Sequence, residues 1–186
     1  MYSLDKLNKN RTNFFSKLDN NKICAEIGVR DGQNAYRIYN VNTPKELYLI
    51  DPWETLDEHW SGNKMTIEQK DDYRKSYENT YNFFKNYNNV FIKKKLSIDA
   101  SLDFQDEFFD WVYIDGDHRY VHVINDLLHW YPKVKTGGYI AGHDYTHDDI
   151  KKAIKLFLSK YPNCKLICAY EECGCDGNSD FLIKKN

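Results

Sequence analysis

Two short clusters of ionisable residues carry the chemistry that this chain could do: Asp115-Gly116-Asp117-His118 and His143-Asp144. Each follows an apolar run, Trp111 to Ile114 before the first and Tyr139 to Gly142 before the second. Carboxylates from two neighbouring strand ends can ligate a hard cation such as Mg²⁺, and a histidine in the set widens the choice of metal. Asp115, His143 and Asp144 are therefore candidate metal ligands. His118, with an unperturbed pKa near neutrality, is alternatively a general base. A third use of the same acids is to cap the helices that follow them.

A second group lies nearer the start. In Glu26-Ile-Gly28-Val-Arg-Asp-Gly32 two glycines bracket a turn, which lets backbone approach a ligand closely and tolerates positive φ. The helix beginning there offers free N–H groups to polar ligand atoms. Arg30 stands where a middle glycine would complete G-x-G-x-x-G, which argues against a pyrophosphate cradle, and an ordinary strand-to-helix turn is the other reading. Asp51, closing the next apolar run, sits where such folds place an acid on ribose hydroxyls. Trp53 either stacks on a base or packs in the core.

These residues need a frame. Apolar runs at 23–28, 47–50, 90–94, 111–114 and 139–142 alternate with helical stretches at about 33–40, 66–87, 120–130 and 147–160. Leu4, Leu7, Phe14, Phe15 and Leu18 suggest a leading helix, and runs at 165–170 and 180–185 suggest a closing antiparallel hairpin. Alternation of this kind predicts an α/β, doubly wound, mostly parallel sheet with helices on both faces, whose ligands bind beyond the carboxyl ends of the strands. Residues 54–65, with Gly62 and His59, read as a loop or lid, and 54–80 as the insertion that reads a substrate. Of the remaining histidines, His122 and His129 read as solvent-facing and His147 as the start of a helix, while Lys93-Lys94-Lys95 reads as a solvated strand end.

Length and composition set the outer bounds. The 186 residues suit one domain spanning 1–186, large enough for its own core. A net charge of −2 and a pI near 6.3 give no basic excess for nucleic acid, so none is expected as a partner. Mean hydropathy is −0.75 and no apolar run is long enough to span a membrane. The start, MYSLDKLNKNRTNFF, lacks a signal-peptide core, and the five cysteines form no framework; both point to reduced thiols in the cytoplasm. Cys173-Gly-Cys175 is one residue short of a C-x-x-C motif.

The blocks AEIGVRDG, LYLIDPW, FDWVYIDGDHRY and WYPKVKTGGYIAGHDY, in this order, resemble the class I S-adenosylmethionine-dependent methyltransferases, in particular their small-molecule and sugar O-methyltransferase branch. The resemblance spans about residues 20–160. It implies a Rossmann-like seven-stranded sheet ending in an antiparallel hairpin. It implies S-adenosylmethionine as cofactor, with Glu26, Gly28 and Gly32 along the methionine end, Asp51 on the ribose, Trp53 over it, and Ser97 to Ala100, including Asp99, near the adenine. In metal-dependent members of that branch an acid at the Asp115 position and an acidic pair at the next strand end hold Mg²⁺, and a residue matching His118 or Asp117 is the base. This chain has His143 where those members carry an acid. The expectation is methyl transfer to a hydroxyl of a small acceptor, a sugar or a sugar-containing metabolite. The alternatives are a catalytically silent cofactor-binding module and a nucleotide-dependent oxidoreductase. Neither acceptor identity nor oligomeric state is legible.

Overall fold

The computed structural model describes residues 9–58, 63–169 and 180–186. His59, Gly62, Cys173, Cys175, Leu4 and Leu7 lie outside them. Seven strands form one sheet in the order β3-β2-β1-β4-β5-β7-β6. They are β1 (Ile23–Ile27), β2 (Glu46–Ile50), β3 (Val90–Lys93), β4 (Phe109–Ile114), β5 (Val134–Gly142), β6 (Cys164–Ala169) and β7 (Phe181–Lys185). The first five pair in parallel, while β7 runs antiparallel to both β5 and β6. This is the doubly wound sheet with a terminal hairpin that the alternation predicts.

The helices are α1 (Lys9–Phe15), α2 (Gln33–Asn42), α3 (Ile67–Phe84), α4 (Ser97–Ser101), α5 (Tyr120–Trp130) and α6 (Asp148–Lys160). They cover both faces, because parallel strands are buried on both sides and alternate residues must each find a core. On one face Ala25, Ile27, Val112, Ile114 and Ile140 pack against α5 and α6. On the other, Cys24, Leu47, Leu49, Trp111 and Tyr113 pack against Phe14 and Phe15 at the end of α1, against α2 and against Phe84 of α3. Two core layers therefore enclose β1 and β4 near the centre of the sheet.

Two elements differ from the sequence reading. Strand β5 begins at Val134, five residues before Tyr139, because a bulge absorbs the Gly137-Gly138 step: Phe109 pairs with Val134 and Trp111 already with Tyr139. Within 54–65, read as a loop or lid, a 3-10 turn covers Trp53–Thr55 and Glu58 bridges to Lys64, while α3 is an 18-residue helix within the stretch of 66–87 expected to be helical. A complete capping box starts α3, with the Thr66 hydroxyl accepting from the Gln69 N–H and the Gln69 side chain accepting from the Thr66 N–H. The Lys93-Lys94-Lys95 run is pinned rather than loosely solvated, with Lys93 and Lys95 on Asp103 and Lys94 on Glu54.

Candidate active site

The carboxyl ends of β1, β2 and β4 open into one cavity of about 1320 Å³, walled by α1, α2, α3, α4 and the start of α5. Gly28, Asp51, Ser97, Asp99, Asp115, Asp117 and His118 all line it. Residues far apart in sequence meet here because parallel pairing aligns the strand ends: Ile27 lies beside both Ile50 and Ile114.

The turn after β1 is built by Asp51. Its Oδ2 accepts the N–H groups of Val29 and Arg30, both at 2.8 Å, and its Oδ1 accepts the Trp53 N–H at 2.6 Å. Burial pushes this carboxyl up, against the three N–H bonds that pull it down. Three of about four carboxylate lone-pair sites are thus spent on the chain, leaving one for a ligand hydroxyl. Asp51 is a loop anchor as well as a cavity residue.

Gly28 is required by the protein itself. Its φ is +87°, and a Cβ there would stand 2.3 Å from the Asp115 carbonyl oxygen. The close approach that the glycine permits is therefore to the end of β4, and it sets the cavity floor. Gly32, at φ +79°, packs against Thr80 of α3 and does not line the cavity, which corrects its expected place along a ligand. Trp53 is corrected too. It is fully buried, meets Tyr77 edge-on and donates its indole N–H to the Arg30 carbonyl at 2.7 Å, so it presents no face to a ligand.

Glu26 is fully enclosed and is not a cavity wall. Neither of its carboxylate oxygens has a hydrogen-bond partner, and burial pushes its carboxyl well up. Ser97 does reach the cavity, but its hydroxyl is committed: it donates to Asp126 at 2.5 Å and accepts the Trp130 indole N–H at 2.9 Å. Asp126, an acid on the buried face of α5, is raised to about 7 by burial.

Where Asp115 and His118 line the cavity the two ionisable clusters interlock, and His143 and Asp144 are not among the lining residues. His118 Nδ1 is 3.0 Å from Asp144 Oδ2, and its Nε2 is 3.5 Å from Asp115 Oδ1. His143 Nδ1 is 2.9 Å from Asp144 Oδ1. The Asn34 amide donates to Asp115 Oδ2 at 2.9 Å. Contact with Asp115 and then Asp144 lifts the His118 imidazole to about 10, and the two histidines hold Asp144 well below the usual carboxylate range. At neutral pH His118 is an imidazolium between two carboxylates.

That arrangement does not suit a metal. Among the described residues no group of three or more His, Cys, Asp or Glu side chains is placed to hold an ion. Asp115, His143 and Asp144 are paired with one another and with His118 at 2.9–3.8 Å. The expected metal set is thus an ion-paired cluster, and no step is derived through a metal. Asp117 is also engaged, by Arg119, which reaches on to Glu58 at 2.6 Å and ties the 54–65 segment to the start of α5. His122 is exposed, as its reading as solvent-facing expects, and it also borders the cavity, 3.7 Å from Asp117.

Several lining residues escaped the sequence reading: Arg11, Asn34, Arg37, Arg119 and Asp126. Asn34 and Arg37 carried a signal, since they sit three apart at the start of the helix that follows the glycine turn and so share its face. Asp126 carried another, as an acid among Val123, Ile124, Leu127 and Trp130.

Residues 25–145 match the model of a protein family described as a methyltransferase domain. An uncharacterized protein of Acanthamoeba polyphaga mimivirus is 32% identical over 141 residues, which are 74% of this chain; the chain spans 57% of that relative's length. A protein of Streptococcus mutans named as a methyltransferase and solved with SAH superposes with a TM-score of 0.65 at 13% identity, covering 96% of this chain and 97% of that one. An rRNA methylase from Streptococcus thermophilus gives 0.62 at 12% identity, with 94% of each chain covered. Fibrillarin from Aeropyrum pernix, solved with S-adenosyl-L-methionine, gives 0.61 at 10% identity, covering 94% of this chain and 74% of that one. At these identities the likeness to the solved structures is one of fold.

Proposed function

The chain belongs to the methyltransferase-domain family, and we propose that it moves a methyl group from S-adenosylmethionine to a hydroxyl of a small acceptor. The observation that carries this reading is one cavity lined both by the Asp51-anchored turn and by Asp115 and His118, the latter paired in turn with Asp144. Its volume of about 1320 Å³ exceeds the roughly 300–1,000 Å³ of a one-ligand pocket, which leaves room for a cofactor and an acceptor together.

The residues present fit the cofactor. Arg37, a residue of the cavity wall, has a buried Nε–H without an acceptor, and Asp51, also lining the cavity, has one acceptor site left beyond the three N–H groups it takes from the chain. Leu96 and Ile98 offer exposed apolar surface for a base, with Asp99 beside them. When bound, the cofactor supplies an activated methyl on a sulfonium that leaves without acid assistance.

The protein's tasks are then alignment and removal of the acceptor proton. Asp144 holds His118 through Nδ1, so Nε2 is the atom that takes that proton once the imidazole is neutral. Asp117, engaged by Arg119, is a weaker base because Arg119 holds its carboxyl below the ordinary range. Charge supports the acceptor class. Among the described lining residues carboxylates outnumber arginines by nine to four, a balance that favours a neutral polyol such as a sugar, whose hydroxyls donate to carboxylates, over a polyphosphate chain. A nucleic-acid acceptor is therefore not proposed, nor is a membrane role: among the described residues no helix is long and apolar enough to cross a membrane.

The test is turnover of a panel of sugars and polyols across pH. With His118 as base, and its value at about 10, the rate should rise with pH between 7 and 9, since only the neutral imidazole accepts a proton. His118→Gln should remove that rise and lower the rate at pH 9 by about 10²–10⁴-fold, with cofactor still bound. A retained pH limb in the variant would reassign the base.

A further inference from the structure

Arg11 of α1 and Arg37 of α2 line the same inner end of the cavity. Arg37 is only 5% exposed, yet its Nε–H has no acceptor. One of its terminal nitrogens donates to Asn34 Oδ1, and Arg11 Nη1 donates to the same oxygen at 3.1 Å. A neutral amide oxygen is thus the shared acceptor of two guanidiniums, each lying in the field of the other. Asp115 Oδ2 accepts the Asn34 amide and also lies 3.6 Å from Arg11. A buried polar group without a partner is costly, and the Arg37 Nε–H is one at the wall of the cavity, with the Asp115 carboxylate lining it nearby. A ligand carrying a carboxylate and an ammonium group on one carbon would satisfy the guanidinium and the Asp115 carboxylate together.

We propose that Arg11 and Arg37 form a fork for the carboxylate of the cofactor's amino-acid end, with Asp115 facing its ammonium group; this rests on the methyl-transfer reading above. The guanidinium plane matches a carboxylate with two parallel N–H donors, which a lysine could not supply. Arg11 makes α1 part of the binding site as well as part of the core. The fork selects ligands by their amino-acid end, so a nucleoside thioether lacking that end should bind poorly.

The experiment is isothermal titration of the full chain with S-adenosylhomocysteine and with 5′-methylthioadenosine, which keeps the nucleoside and lacks the amino-acid end. The wild type should bind S-adenosylhomocysteine at least about 100-fold more tightly. Arg11→Gln and Arg37→Gln should each weaken it by about 10- to 100-fold, the usual worth of a charge-assisted hydrogen bond, and leave methylthioadenosine within about twofold. Thermal melts identify a variant that fails to fold, and Arg11→Gln, at the less buried of the two positions, carries the test if Arg37→Gln does so. Equal wild-type affinities for the two ligands, or equal losses for both in a folded variant, overturn the fork. A wild type that binds neither overturns the cofactor reading as well, so the two failures are distinct.

Discussion

Asp51 is at once a loop anchor and a cavity residue. By accepting three backbone N–H groups it fixes the turn after β1, and it lines the cavity. Gly28 is the counterpart on the other side of the same turn, where a side chain would strike the Asp115 backbone. Gly28→Ala should therefore cost about 2–4 kcal/mol, adding overpacking to the strain of positive φ. Gly137 has φ +80° but no atom within 4 Å of its Cβ position, so Gly137→Ala should cost only about 1 kcal/mol. Urea denaturation of the two variants measures the difference, and equal losses would show that φ alone matters. The acid at 51 and the glycine at 28 were legible in the sequence as a pair; the partners that use them were not, because a backbone contact between β1 and β4 has no local signature.

At the scale of elements, α3 is the informative case. Its aromatic periodicity was visible, but its place was not. Ser76 and Tyr73 line the cavity, Thr80 abuts Gly32, and Phe84 is buried in the core beneath α2, so the helix is a wall of the site. The capping box sits at its far, exposed end, more than two turns before Thr80. Thr66→Ala should lower stability by about 1 kcal/mol and leave the affinity for S-adenosylhomocysteine unchanged. Chemical denaturation and titration check the two halves of that expectation, and a large loss of affinity would mean that the start of α3 is itself part of the site.

At the scale of the whole molecule, pH dependence of stability reports the buried acids together. Asp126 is the clearest, because it is raised to about 7 by burial and stands apart from the histidine cluster. An unfolded aspartate ionises near 3.9, so the folded state holds its proton longer. The sign follows: this contribution is full below about pH 4, is lost as pH rises toward 7, and stays lost above it. Asp126→Asn keeps an acceptor for the Ser97 hydroxyl and removes the titration. The variant should gain stability over the wild type at pH 8, with the difference shrinking toward pH 5, as thermal melts at the two values would show. A difference independent of pH would assign it to packing.

The sequence by itself determined the order of strands and helices, the sheet they build and the end of it at which the cavity opens. Hydrophobic periodicity is local, and the right-handed parallel connection leaves few topologies to choose among. It also located the acids and histidines of the site. Only the tertiary structure decided what each of them touches. Asp115 and Asp144 lie 29 positions apart in the chain and share one imidazole, which turns an expected metal set into an ion-paired cluster. Trp53 went to the core and Arg37 to the cavity for the same reason. Which face of a turn or helix meets the sheet depends on how distant elements pack, and a side chain's pKa and partners depend on that burial.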